Sequence, residues 1–147
     1  MKASKVLFLV VALVGFVDAT YLTVQHFLGA IPPCFVVDGC STILNSAWSS
    51  VAGVPVALFG AMYYLFVFCT MLYGTVMKSE KITRISAGAT LVGLLASVWF
   101  MILQVFILKS YCSYCIISAM SSTILFVLGA ILLFSKRQTN NVIEKVG

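Results

Sequence analysis

The chain has 147 residues, of which 62% are hydrophobic and only 9% charged, and its mean hydropathy is +1.13. No water-soluble domain carries that balance without aggregating, and little chain remains for a soluble domain beside a membrane-embedded one. A net charge of +5 would suggest nucleic acid or acidic partners in a soluble protein, but here it follows from where the basic residues sit, and no nucleic-acid partner is expected.

A spanning helix needs about 20 apolar residues, and four runs qualify, at 6–28, 54–77, 85–108 and 113–134. The expected fold is an all-α membrane protein, a four-helix transmembrane bundle forming one domain over 1–147. Eight of the nine basic residues, Lys2, Lys5, Lys78, Lys81, Arg84, Lys136, Arg137 and Lys145, fall on one side of such a bundle, and only Lys109 falls on the other. The positive-inside rule then makes both termini cytoplasmic, in a multi-pass protein of the inner or plasma membrane. It puts the segment 29–53 and the turn 109–112 outside, on the oxidising side, together with four of the five cysteines.

Lys2 and Lys5 ahead of an apolar core resemble a secretory signal, but the apolar pattern runs on through Leu22, Val24 and Phe27 and is long enough to span, so an uncleaved first helix is expected. Its polar exceptions are Asp18, Gln25 and His26. Ionisable groups inside a membrane are costly enough to be functional candidates. Gln25 and His26 read as interfacial, while Asp18 lies deeper and is expected to be neutral or paired.

In the outer segment Ile31-Pro32-Pro33 cannot extend a helix, and Cys34 follows at once. The turn signal Asp38-Gly39 lets Cys34 and Cys40 approach one another. As a plain structural staple this pair would gain little, since the loop it closes is short. Ser41 or Thr42 reads as the cap of a short extracytoplasmic helix lying on the membrane surface, with Ile43, Leu44, Ala47, Trp48 and Val51 on its apolar stripe, either as a lid or as an interfacial anchor.

Pro55 suits the first turn of the second span. Gly60 and Ala61 permit close helix approach, Tyr63 and Tyr64 bring hydroxyls into the bilayer, and Cys69 reads as a small buried hydrophobe. The third span offers Gly88, Gly93, Ala96 and Ser97 as packing positions and Gln104 near its outer end. Ser118, Ser121 and Ser122 in the fourth read as partners in hydrogen bonds between helices. The polar stretch 136–147 reads as a disordered cytoplasmic tail.

The fourth span opens with Cys112-Ser113-Tyr114-Cys115. Two cysteines three apart on a helix's first turn share a face, and the positive end of the helix dipole there favours a thiolate. Such a pair cycles between dithiol and disulfide. It is also half of a zinc site that Cys34 and Cys40 would complete, but the spacing of that outer pair and a position at a membrane rim favour redox chemistry, and no metal is expected.

Taken together, Cys34, Cys40, Ser46, Gly53, Pro55, Gly60, Cys112 and Cys115 resemble the vitamin K epoxide reductase family in its short prokaryotic form, over nearly the whole chain. The resemblance implies a bundle enclosing a quinone, of the menaquinone or ubiquinone type, beside the Cys-X-X-Cys, with the outer pair shuttling electrons in from an extracytoplasmic thioredoxin-like protein. Many prokaryotic members carry a fused thioredoxin-like domain; this chain ends without one, so a separate polypeptide is the expected partner. Vertebrate members have a Tyr where this chain has Ala119 and an Asn near Ser49 or Ser50, departures that bear on epoxide reduction and not on thiol oxidation. On this reading Cys34, Cys40, Cys112 and Cys115 are catalytic, Trp48, Phe59, Tyr63 and Tyr114 are candidate walls of the quinone pocket, and Ser46 and Gln104 are candidate donors to its carbonyls. The competing readings are a quinone-independent transmembrane thiol reductase, which would need a cytoplasmic thiol pair that Cys69 alone does not provide, and a non-enzymatic four-span protein with structural outer disulfides or a bound metal.

Overall fold

Inside a bilayer the backbone has no water to bond, so each apolar run must close its own hydrogen bonds as a helix. In a computed structural model, which describes residues 2–29, 47, 50–51, 53–109 and 112–146, four such helices form. Helix α1 spans Lys2–Leu28, α2 Val56–Val76, α3 Glu80–Ile102 and α4 Ser113–Val146. Each carries a stretch long and apolar enough to cross a membrane. Helix α1 packs on α2 and α4, and α3 packs on the same two, which closes the four into a ring.

Between α1 and α2, strand β1 (Ser50–Val51) pairs antiparallel with β2 (Val54–Pro55). Gly53, at φ +82°, supplies the left-handed turn that joins them. Val51 is therefore extended, and a surface helix reaching that far along the apolar stripe does not form; apart from Ala47, the rest of that expected helix, with Ser46 and Trp48, lies outside the described residues, as do Cys34 and Cys40. Pro55 is likewise extended (ψ 134°) and caps α2 from just ahead of its first turn, so the helix begins two residues after the start of the apolar run.

The fourth helix runs on to Val146, where the composition suggested a disordered tail. Lys136, Arg137, Gln138 and Glu144 are good helix formers, and extending an existing helix carries no nucleation cost.

Packing rests on small residues and hydroxyls. Tyr64 is fully buried, and its hydroxyl lies 3.0 Å from Ser122 Oγ and donates to the Ser118 carbonyl at 2.9 Å, which ties α2 to α4. Its ring occupies the space that a Cβ on Gly15 of α1 would take. Tyr63 turns the other way, against Gly93 of α3, and donates to the Ala89 carbonyl at 3.3 Å. Ser86 Oγ adds a 3.2 Å bond to the Val67 carbonyl. Below this layer Phe8, Val67, Met71, Leu125 and Leu132 fill the interior, while residues such as Val17, Phe66, Val92 and Leu95 face outward.

Two small residues are not packed as expected. Cys69 lies on the exposed face of α2, opposite the buried stripe of Ala61, Tyr64, Val67 and Met71, and a Cβ on Gly88 would meet nothing. This contrast gives a stability prediction. Gly15→Ala, which forces the Tyr64 ring to move, should cost about 1–3 kcal/mol in reversible unfolding in detergent micelles. Gly88→Ala should be neutral or stabilising, and equal behaviour of the two variants would contradict the packing described.

Candidate active site

Because neighbouring helices run in opposite directions, the C-terminal halves of α1 and α3 meet the N-terminal halves of α2 and α4 at one end of the bundle. They leave a cavity of about 300 Å³ between them. Its wall is largely apolar and aromatic, with Leu22, Phe59, Tyr63, Phe100 and Met101. Asp18, Gln104, Ser118 and Cys115 bring polar groups to it. Tyr64, held by Gly15, Ser118 and Ser122, lines the cavity where it meets the packed interior.

Cys112 sits immediately before α4 as its capping residue. Its carbonyl takes the first helical bond, from the Ile116 N–H at 3.0 Å, and its side chain is fully buried. A capping side chain accepts from the second and third N–H groups of the helix, which here belong to Tyr114 and Cys115. The Cys115 thiol donates to the Cys112 sulfur, and those two N–H groups add to it. Against burial, which opposes ionisation, they bring the Cys112 thiol down from its ordinary value of 9.0 to about 7. Both cysteines are free thiols in this structure. Cys115, one helical turn on, lines the cavity, so the pair joins an acidic thiol at the helix cap to a second thiol in the cavity wall.

The end of α3 holds this cap in place. There the helix widens into a π-helical turn, Leu103–Leu108, closed by Lys109 in the left-handed region (φ 47°), whose N–H bonds the Gln104 carbonyl. A π-turn re-aims the side chains it carries, and such turns recur at functional sites. Gln104, almost fully buried, accepts the Cys112 N–H on Oε1 at 3.2 Å. Its amide NH₂ carries the donors of the side chain.

Of the residues expected at the site, Cys115, Phe59, Tyr63 and Gln104 meet at the cavity, and Cys112 is bonded through its N–H to Gln104 of the cavity wall. Tyr114 does not reach the cavity wall: one position before Cys115 on the helix, its ring turns to that of Tyr21 on α1, centroids 5.6 Å apart. Cys34, Cys40, Ser46 and Trp48 lie outside the described residues. Asp18 and His26, singled out by their polarity, prove to line the same cavity, whereas Leu22, Phe100 and Met101 carried no signal that set them apart from any other apolar residue of a span. Among the described residues, no three His, Cys, Asp or Glu side chains converge as a metal site would need.

The sequence model of the vitamin K epoxide reductase family matches residues 6–130, which include all four spanning segments nearly in full and the Cys-X-X-Cys. Comparison with curated proteins yields no significant match. With a match over that much of its length, the chain belongs to the vitamin K epoxide reductase family, membrane oxidoreductases of thiols and quinones.

Proposed function

We propose that this protein is a membrane thiol:quinone oxidoreductase that reoxidises a separate extracytoplasmic thioredoxin-like protein and so supports disulfide formation. The observation that carries this reading is the junction of an acidic, helix-capping Cys112 with a Cys115 that lines a mostly apolar cavity. The cavity's volume is at the small end of ligand sites, which suits a quinone ring whose isoprenoid tail extends beyond it. Its aromatic wall and the amide of Gln104 suit the two chemical faces of such a ring, the apolar plane and the carbonyl oxygen.

Electrons enter when a partner thiolate attacks an outer Cys34–Cys40 disulfide at Cys34 and expels Cys40. The partner's second thiol then displaces Cys34, leaving both outer cysteines reduced. Cys40 attacks Cys112 in the Cys112–Cys115 disulfide, and Cys115 leaves as a thiolate facing the cavity. Cys34 attacks Cys40 in turn, which restores the outer disulfide and leaves Cys112 and Cys115 as the dithiol. The bound quinone supplies the oxidising power, accepting two electrons and two protons as the Cys112–Cys115 bond reforms. Gln104 holds the Cys112 backbone in register for that closure.

The test is anaerobic. Purified protein is mixed with a reduced thioredoxin-like partner and a short-chain quinone, and quinone absorbance is followed. Cys112→Ala and Cys115→Ala should each abolish turnover, whereas Cys69→Ala should leave it unchanged; turnover like that of the unmodified protein in either of the first two would sink the mechanism. Cys34→Ala should instead accumulate a Cys40–Cys112 disulfide in mass spectra of non-reduced digests, because the thiol that displaces Cys112 from Cys40 is gone.

Ionisation of Cys112 gives a second check. Its thiolate fraction should rise with pH through about 7, so the ultraviolet absorbance of the thiolate, read as the difference from Cys112→Ala, should be half-developed there and fall away below pH 6. Removing the Cys115 thiol removes the largest stabiliser of that thiolate, and in Cys115→Ala the midpoint should move up toward 9. A midpoint near 9 in the unmodified protein would contradict the cap.

Orientation rests on the basic residues. Eight on one side against one on the other support an outer pair outside the cytoplasm. A membrane-impermeant maleimide added to intact, reduced cells should label Cys34 and Cys40, and labelling only after lysis would invert the topology.

A further inference from the structure

Of the chain's four acidic residues, Asp18 alone lies well inside a spanning segment. It faces the cavity, and its Oδ2 is buried with no hydrogen-bond partner. A buried polar atom without a partner costs about 1–3 kcal/mol. A carboxyl group that bears this cost within a membrane span and lines a cavity is placed to meet a ligand.

Resting on the oxidoreductase reading above, we propose that Asp18 is the proton-handling acid of the cavity, bonding through its carboxyl to one carbonyl oxygen of the bound quinone and passing a proton to it. The orphaned oxygen supplies the group, and the surroundings supply the route. Asp18 and Cys115 line the same cavity, so the carboxyl shares with a thiol that loses its proton the space where a quinone gains one. Asp18 gives its proton to the quinone oxygen and takes one back from the thiol pair. The second thiol proton passes to the other quinone oxygen, and two electrons leave the sulfurs as the Cys112–Cys115 bond forms. The sum is dithiol plus quinone to disulfide plus hydroquinone, with Asp18 returned to its starting state. Other titratable groups around Asp18 and its cavity are Tyr63 and Tyr64 on α2, Tyr114 on α4, and Tyr21 and His26 on α1. The part of α3 that lines the cavity brings none.

The experiment uses full-length protein in nanodiscs, prereduced with dithiothreitol and freed of it, then mixed with a short-chain benzoquinone in a stopped-flow instrument between pH 5 and 9. Asp18→Asn should slow the single turnover about 100-fold. It should also lose the limb of the profile that falls with rising pH, while the limb due to Cys112 ionisation stays. Asp18→Glu, which keeps the acid, should recover the falling limb, and it serves as the test if the asparagine variant does not fold. Infrared difference spectra give a readout apart from turnover. Adding oxidised quinone to the unmodified protein should shift a protonated-carboxyl band, and that band should be missing in Asp18→Asn. Rates and profile unchanged in a folded Asp18→Asn would overturn the role of Asp18 alone. An unmodified protein that leaves the quinone unreduced would overturn the oxidoreductase reading and this one with it.

Discussion

The clamp made by Tyr64 sets the geometry on which the rest of the bundle depends. In a bilayer, lipid tails are as apolar as leucine, so helices gain nothing by hiding apolar surface from one another; they associate through close packing and hydrogen bonds between helices. Tyr64 combines the two. Its ring fills the gap left by Gly15 on α1, and its hydroxyl meets Ser118 and Ser122 on α4. One residue away, Tyr63 does the same toward α3 through Gly93 and the Ala89 carbonyl, and the two rings meet edge to face at 5.4 Å. The pair thus fixes the distance from α2 to all three of its neighbours at one level.

That level separates two different interiors. On one side Phe8, Met71, Leu125 and Leu132 pack the space fully. On the other the helices stand at the same spacing but carry smaller or outward-turned side chains, such as Ala19, Ala57, Gly60 and Ala96, and the cavity remains. The pocket beside the thiol pair takes its boundary from this construction, because the tyrosine layer that holds the helices apart also bounds the pocket, and a rigid boundary would keep a bound ligand in register.

The dithiol depends on a second device, the meeting of the end of α3 with the start of α4. A π-helical turn shifts Gln104 so that its amide oxygen takes the Cys112 N–H, and Cys112 then caps α4 with its own sulfur. The helix terminus, with its unpaired N–H groups, acts on the thiol most directly at that capping position, and loses influence within a turn. Two cysteines three residues apart are in this way given unequal characters: one acidic and buried at the cap, the other exposed to the cavity.

Much of this was legible in the sequence, and for clear reasons. Length and hydropathy determine helices in a membrane because no other open structure satisfies the backbone there, so four spans followed from four apolar runs. The Cys-X-X-Cys at the mouth of a span determined that a dithiol would share one helix face. What the sequence left undecided was depth, direction and partnership. Periodicity does not say which side of a uniformly apolar helix faces inward, so Cys69 read as buried and faces out, Gly88 read as a packing notch and meets nothing, and Tyr114 read as pocket wall and stacks on Tyr21. Nor does spacing reveal that Gln104 bonds a backbone N–H eight residues later, since that contact exists only because a π-turn and a left-handed Lys109 fold the chain back on itself. The oxygen of Asp18 left without a partner is likewise a property of the assembled bundle, because whether a polar group in a membrane is satisfied depends on what the other helices bring to it.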